Sequence, residues 1–161
     1  MTLALMTSGL SVSWAVEAML QAEDLMRPEK LVEYRKQASP TDRVLSEKIY
    51  QYAVEAAKKD WGAAAKGFAE SALAYPNSRA LIKMAESRLR MLAHKDENIK
   101  VDALNNAVKY LDTALVLNMA DQMLNPQEQK QIEEDIVCVE QYLVDKKILS
   151  DCRPLNWINL R

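Results

Sequence analysis

Very few side chains in this sequence have the types and spacing that catalysis needs. The chain contains one histidine, His94, and two cysteines, Cys138 and Cys152. His94 falls in a polar stretch, where a solvated side chain is expected rather than a base. Glu133 and Glu134 are adjacent, so on a helix they point to different sides and cannot act as a carboxylate pair. With no phosphate loop, nucleophile motif or metal-ligand spacing, the sequence predicts no enzyme, no cofactor and no metal site.

The two cysteines allow two interpretations. In an exported protein they would meet an oxidising compartment and form a disulfide. Cys138 lies about 14 Å before the predicted end of its helix near Lys147, at about 1.5 Å per residue. The segment from Ile148 to Cys152 spans about 16 Å when extended, so it can fold back that far. Alternatively, Cys138 is a small buried apolar residue and Cys152 is a free thiol in the tail.

The composition predicts an all-α globular protein. The chain has 161 residues, of which 49% are hydrophobic and 27% charged, so it can bury a core. Only three glycines are present, and Ala, Leu, Glu, Lys, Gln and Met are abundant, which favours helices over turn-rich sheets. The net charge of −2 gives no basic excess, so we expect no nucleic-acid partner.

The first residues resemble a secretory signal. Met1 to Val16 carries no charged side chain, and Ser13 and Ala15 suit the −3 and −1 positions of a cleavage site. We therefore predict a signal peptide over residues 1–15 and a periplasmic or secreted mature chain. The positive start of a signal is missing, and the alternative is a first helix that packs on a cytoplasmic domain. No segment is long and apolar enough to predict a stable membrane span in the mature chain.

Helix signals follow along the rest of the chain. Residues 16–40 predict a helical segment that breaks near Arg27-Pro28. Ser39, Pro40 and Asp42 then give a capping box with a first-turn proline. The helix after them has apolar residues that share one predicted face: Leu45, Ile49, Tyr52, Ala53 and Ala56.

The pattern around which the rest of the sequence can be aligned lies between Asp60 and Ser78. Its helical face carries Trp61, Ala64, Phe68, Ser71 and Ala72, and Pro76 ends it. A second stretch has apolar and small residues at the same spacing: Leu104, Ala107, Leu111, Ala114 and Leu115. Two unrelated helices seldom share such a register, so this match indicates an internal repeat. We expect the second of these helices to run from Val101 to Leu117, after a polar loop.

This pattern resembles the tetratricopeptide repeat (TPR) family, in which an aromatic, a small residue, a large apolar residue, a small pair and a proline follow in order. The resemblance covers Thr41 to Asn118, although Met119 stands where the second proline is expected. It implies antiparallel helix pairs stacked as a short right-handed solenoid over residues 41–147. A helix that starts at Asn125-Pro126 would be its cap. The alternative is an ordinary helical bundle.

The final helix and the tail complete the prediction. The helix has an apolar stripe and a solvated remainder that includes Asp135; the stripe consists of Ile132, Ile136, Val139 and Leu143. The tail, residues 148–161, carries four apolar residues: Leu155, Trp157, Ile158 and Leu160. These residues either dock on the last helix or contact another protein, and we predict docking because exposed Trp and Ile are unfavourable.

The TPR resemblance also implies a site, because the first helices of that family line a concave groove. The residues that match those positions are Tyr50, Val54, Lys58, Lys83, Ser87, Arg90 and Met91. They suit an extended peptide with an acidic group, unless the cations are simply solvated. The predicted function is an exported adaptor or assembly factor that binds a protein or peptide. The alternatives are a chaperone for a secreted or membrane client and, last, an accessory subunit of an enzyme.

Overall fold

The computed structural model describes residues 19–148 and 151–160. Within these residues the chain is all helical and contains no strand, as the composition predicted. The predicted signal peptide, residues 1–15, lies outside the described residues. The elements are a 3-10 helix (Ala22–Met26), α1 (Pro28–Gln37), α2 (Pro40–Ala56), α3 (Trp61–Ala74), α4 (Ser78–Met91), α5 (Glu97–Asp121), α6 (Pro126–Asp145) and α7 (Arg153–Trp157).

The predicted helix starts are confirmed by their caps. Ser39 Oγ accepts a hydrogen bond from the amide of Asp42 at 3.2 Å, and the Asp42 carboxylate accepts one from the Ser39 amide at 2.8 Å. Asn125 and Glu128 form the same reciprocal capping box before α6. These bonds satisfy amide groups that have no partner inside the helix, so each cap fixes where its helix begins.

Helices α2 to α6 pack in sequence order, each against the next. Residues with short side chains let neighbouring helices approach each other closely. A Cβ atom built on Gly67 of α3 would lie 2.8 Å from Cβ of Ala53 of α2, which is closer than such atoms pack. The glycine therefore sets the distance between α2 and α3.

The two stretches that match in sequence are buried in the same way. In each stretch the second, third and fourth positions of the motif are buried, whereas Trp61 at the first position and Leu115 at the last are only partly buried. The fully buried members are Ala64, Phe68, Ser71 and Ala72 in α3, and Leu104, Ala107, Leu111 and Ala114 in α5. Both helices therefore present the same register to their neighbours.

The first and the last of the described elements pack on different helices. The 3-10 helix contacts α3 and α5, and α1 contacts α5, with Leu25 and Leu31 completely buried. At the other end, α7 contacts α4 and α6. The predicted break near Pro28 is confirmed, since Pro28 is the first residue of α1.

Two predictions about helices were wrong. Helix α5 begins at Glu97 rather than Val101 and continues to Asp121, because the polar residues after Asp96 join its first turn. The predicted apolar face of α2 is not a single buried face. Ala53 is buried, whereas Leu45 and Tyr52 are exposed, because α1 packs on α5 and leaves this flank of α2 uncovered.

The C-terminal tail is docked, and it reaches further than the last helix. Leu155 and Ile158 are completely buried, and α7 lies against α4 as well as α6. Cys138 of α6 and Cys152, just before α7, are joined by a disulfide with their Cα atoms 5.7 Å apart. Asp135 was expected to be solvated, but it is buried because Arg153 pairs with it.

Candidate protein-binding groove

A groove of about 520 Å³ lies between α2, α4, α6 and α7. The name "central groove" is used below for this depression. Its α2 and α4 walls are formed by Tyr50, Arg79, Ile82, Lys83 and Glu86. The opposite side comes from the start of α6 and from α7. Four separate helices therefore contribute to one surface that mixes aromatic, aliphatic and charged side chains.

The structure brings some of the predicted groove residues together. Tyr50 and Lys83 line the central groove. Arg90 borders it, because its guanidinium lies 5.8 Å from the ring centre of Trp157, which is a groove residue. Val54 is half-buried against the core, and Lys58, in the turn after α2, is exposed and paired with the carboxylate of Glu55. Neither contributes to the groove lining.

Two predicted groove residues lie elsewhere. The side chain of Ser87 is buried in the core, so it is not available to a ligand. Met91 lines a second depression of about 480 Å³ between α4 and α5, together with apolar residues such as Leu92 and Ile99. Both errors have one cause: at about 100° per residue, the C-terminal turns of α4 rotate these positions away from the groove.

The charges of the central groove are paired within the protein. Lys83 Nζ lies 2.9 Å from a carboxylate oxygen of Glu86, and Arg90 Nε donates to the other oxygen at 3.0 Å. Across the groove, Arg79 of α4 lies 3.9 Å from Glu128 of α6. The side chains of Arg79 and Lys83 remain 48% exposed, so water and ligands reach both cations.

Glu86 is the most buried of these carboxylates. Burial by itself would raise the pKa of Glu86, but the hydrogen bonds and positive charges of Lys83 and Arg90 lower this pKa below its ordinary value. Glu86 is therefore ionised at neutral pH and holds both cations in place. Sequence spacing contains this signal, because Glu86 lies three residues after Lys83 and four before Arg90.

Tyr50 provides the aromatic side of the groove. Its ring packs on Phe68 with the ring centres 5.2 Å apart. Burial raises the pKa of the Tyr50 hydroxyl, so this group stays protonated and can donate a hydrogen bond. Tyr50 thus offers a ligand both an apolar ring and a polar tip.

Helix α7 closes one end of the groove with an aromatic–cation cluster. The Arg90 guanidinium lies 4.8 Å from the ring centre of Trp61 on one side and near Trp157 on the other. Arg153 lies 5.6 Å from the centre of the same Trp157 ring. The sequence analysis missed Trp157 and Arg153 as groove residues, since no local pattern shows that the tail reaches α4.

Metal-ligating side chains do not cluster in the part of the chain that the structure describes. Across 19–148 and 151–160, no three side chains of His, Cys, Asp or Glu cluster as a metal site. Every buried side-chain nitrogen or oxygen described in these ranges has a hydrogen-bond partner. None of the helices described here is long and apolar enough to span a membrane. Comparisons with protein-family models, curated proteins and solved structures found no match.

Proposed function

We propose that this protein is an exported, TPR-like adaptor that binds a peptide segment of another protein in the central groove. The observation that carries the proposal is the groove itself. It joins the aromatic ring of Tyr50, the aliphatic Ile82 and two half-exposed cations, Arg79 and Lys83, on one concave surface. Such a combination suits binding of a short segment rather than catalysis.

The packing supports a repeat arrangement. Corresponding motif positions are buried in α3 and α5. The 3-10 helix packs on both of these helices, and α1 packs on α5. Helices α2, α4 and α6 instead share the central groove. In a TPR solenoid the first helices of the pairs line the concave side and the second helices lie behind them. We therefore assign α2–α3 and α4–α5 as two repeats and α6 as the cap.

The charges suggest the chemistry of the bound segment. The pairs that Arg79 and Lys83 make are partly exposed, and exposed ion pairs contribute about 0–1 kcal/mol each. Exchanging an internal carboxylate for one on a ligand therefore changes the free energy little. A segment with an acidic residue beside an aromatic or aliphatic residue would bind both kinds of group at once.

The disulfide supports an extracytoplasmic location. Bonds such as the one between Cys138 and Cys152 persist in the periplasm or outside the cell, whereas cytosolic thiols are kept reduced. This fits the predicted signal over residues 1–15. Export from the cytoplasm is therefore included in the proposed function.

Site-specific photo-crosslinking tests the proposed groove. A photo-reactive amino acid at Lys83 should give one discrete adduct with a partner in the native cells. The same amino acid at Lys66, an exposed lysine of α3 outside the groove, should give none. A ladder of many adducts at Lys83 would instead favour the chaperone hypothesis. Equal adducts at Lys83 and Lys66 would contradict a groove interface.

Charge reversal provides the second arm of the test. For this arm the photo-reactive amino acid is placed at Tyr50, because Lys83 itself is changed. The double variant Arg79→Glu with Lys83→Glu should then lose the adduct with the partner. Helical circular dichroism should not change, because both side chains are half-exposed. The matched control reverses two exposed lysines of α3 and α5, Lys66→Glu with Lys109→Glu, and should keep the adduct. Arg90 is left intact because it packs between two indoles.

A further inference from the structure

The surface beneath α7 is an apolar shelf formed by α4 and α6. Leu155 and Ile158, three residues apart, are completely buried on it, and Trp157 stands beside them at the groove end. The term "α7 shelf" is used below for this surface. The α7 shelf is therefore covered by one short segment, α7, which follows the disulfide-bonded Cys152 directly.

Helix α7 is held in place by its tertiary contacts. It has five residues, and a helix this short is unstable alone in water. Its attachments are the two aliphatic anchors, the buried Pro154, the contact of Trp157 with Arg90, the Asp135–Arg153 pair and the Cys138–Cys152 bond. Of these, only the disulfide limits how far the segment can move when the other contacts open.

We propose that the α7 shelf is a binding site for a short apolar helix, that α7 is its resident occupant, and that the Cys138–Cys152 disulfide decides whether α7 can leave. With the bond intact, the tail is tethered to α6 and rebinds at once. With the bond reduced, the tail dissociates reversibly and the shelf accepts a segment from another molecule. This inference goes beyond the central groove, and it does not require the proposed partner of that groove.

The opening step is ordinary thiol–disulfide exchange. A dithiol reductant supplies two electrons to the S–S bond and leaves as its own disulfide, and Cys138 and Cys152 each take up a proton. The two cysteines are 6% and 2% exposed, and both line an open depression of about 530 Å³. The exposed side chains of Lys130 and Glu134 line the same depression, so a small reductant can approach the bond from this side.

The buried carboxylate of Asp135 defines the chemistry of an incoming segment. Arg153 Nε donates to its two oxygens at 3.0 and 3.2 Å, and the Nη2 group also contacts it. When α7 leaves, this carboxylate loses the cation that pairs with it. A segment that covers the carboxylate again without supplying a cation would leave a buried charge unpaired, which is unfavourable, so the shelf should prefer a ligand that replaces the cation. The expected segment has Arg two residues before the first of two aliphatic anchors, as the tail itself has.

Hydrogen exchange of the full-length protein tests the release. After reduction, amides of Asn156, Ile158 and Leu160, which are hydrogen-bonded within the tail, should exchange about 10- to 100-fold faster. Amides of α4 and α6 should keep their protection. The variant Cys138→Ser with Cys152→Ser should behave like the reduced protein. Unchanged protection in the tail, or loss of protection throughout the protein, would overturn the proposal.

A peptide with the tail sequence tests the shelf as a binding site. The probe is a fluorescent peptide of residues 151–160 with Cys152→Ser, and its anisotropy is followed with full-length protein. Binding should be at least about tenfold tighter to reduced than to oxidised protein, because the tethered tail competes as an intramolecular ligand. A peptide with Leu155→Asp and Ile158→Asp should not bind either form. Equal binding to both forms, or binding of the control peptide, would overturn the proposal.

The role of Asp135 gives a separate readout. The probe with Arg153→Gln should bind reduced wild-type protein about tenfold more weakly than the parent probe. On the Asp135→Asn variant, the two probes should bind equally. If Arg153→Gln has no effect on wild-type protein, the proposed preference for a cation is wrong. Circular dichroism of the Asp135→Asn variant shows that it is folded before the comparison is made.

Discussion

At the residue scale, Glu86 shows how a groove residue can also stabilise the fold. Its pKa in the folded protein is lowered, relative to an ordinary value of 4.5, by Lys83 and Arg90 against the effect of burial. A carboxylate with a lowered folded pKa adds stability above its unfolded pKa and loses it as the pH falls through the folded pKa. The contribution of Glu86 is therefore present at pH 7 and disappears below about pH 4.5.

The variant Glu86→Gln tests this linkage. At pH 7 its free energy of unfolding should be about 1 kcal/mol lower than that of wild type, since the variant loses two charge-assisted hydrogen bonds. The difference should shrink as the pH falls below 4.5. Urea denaturation at pH 7 and pH 3 measures both values. The control is Glu70→Gln, which removes an exposed pair with Lys66. If Glu86→Gln lowered the free energy of unfolding equally at both pH values, ionisation of Glu86 would not be linked to stability.

Gly67 is the residue at which helix spacing can be tested most directly. In Gly67→Ala the new methyl group would lie 2.8 Å from Cβ of Ala53, so α2 and α3 must separate. The destabilisation from overpacking, about 1–3 kcal/mol, should exceed the stabilisation of about 1 kcal/mol that comes from replacing glycine by alanine in a helix. Gly62→Ala is the matched control, because its nearest neighbours are side-chain atoms at 3.2 and 3.4 Å that can move. Thermal unfolding should show a lower Tm for Gly67→Ala only, and a rise for both would mean that the helices are further apart.

Individual residues show where sequence reasoning stops. The burial of Phe68 and Leu111 follows from a 3.6-residue period, which is a local property of the chain. The burial of Asp135 does not, because it depends on Arg153 from a different element. A buried charge is invisible in the sequence until its partner is known.

At the element scale, Asp121 at the end of α5 is the junction of three helices. Its carboxylate accepts hydrogen bonds from the amide of Ser78 at 2.8 Å and from Ser78 Oγ at 3.0 Å, so it caps α4 from outside. It also lies 3.6 Å from Arg35 of α1, whose guanidinium donates to the carbonyl of Pro76. The side chain of Asp121 is completely buried.

Removing this junction should be costly. Asp121→Ala leaves the amide and hydroxyl of Ser78 without their acceptor and removes the carboxylate that pairs with Arg35, and we expect a loss of about 3 kcal/mol in the free energy of unfolding. Ser39→Ala, which removes an exposed local cap of α2, should lose only about 1 kcal/mol. Urea denaturation of both variants gives the comparison. Equal losses would mean that Asp121 acts only as a local cap.

The exposed flank of α2 predicts a tolerant surface. Leu45 is 50% exposed, so Leu45→Ala should change the free energy of unfolding by no more than about 0.5 kcal/mol. Leu81→Ala in α4, where the side chain is completely buried, should cost about 2–5 kcal/mol. Chemical denaturation distinguishes the two. A large loss for Leu45→Ala would reveal that this flank is covered in solution.

Elements were predicted where their signals are local. The caps at Ser39 and Asn125 and the proline at the start of α1 each lie within four residues of the boundary that they set. The start of α5 was missed, because the residues before Val101 that form its first turn are mostly polar and were predicted as a loop. The position of α1 was missed as well, since its contact with α5 depends on distant parts of the chain.

At the scale of the whole molecule, the predicted cleavage and the disulfide can be tested together. Cleavage after Ala15 would leave a chain that starts at Val16. We expect native protein to lack residues 1–15 and to contain no free thiol. Intact mass measured before and after alkylation without a reductant checks both. An uncleaved chain that takes up two alkyl groups would contradict both export and the bond.

The docking of α1 on α5 has a consequence for how the chain folds during synthesis. Contacts between successive helices are local, so α2 and α3 can pair while the nascent chain is still growing. Helix α1 is synthesised before α5, yet its packing surface on α5 is made much later. Helix α1 therefore cannot dock until α5 has been synthesised. Until then α1 stays open to proteases and folding helpers, and its docking marks the completion of α5.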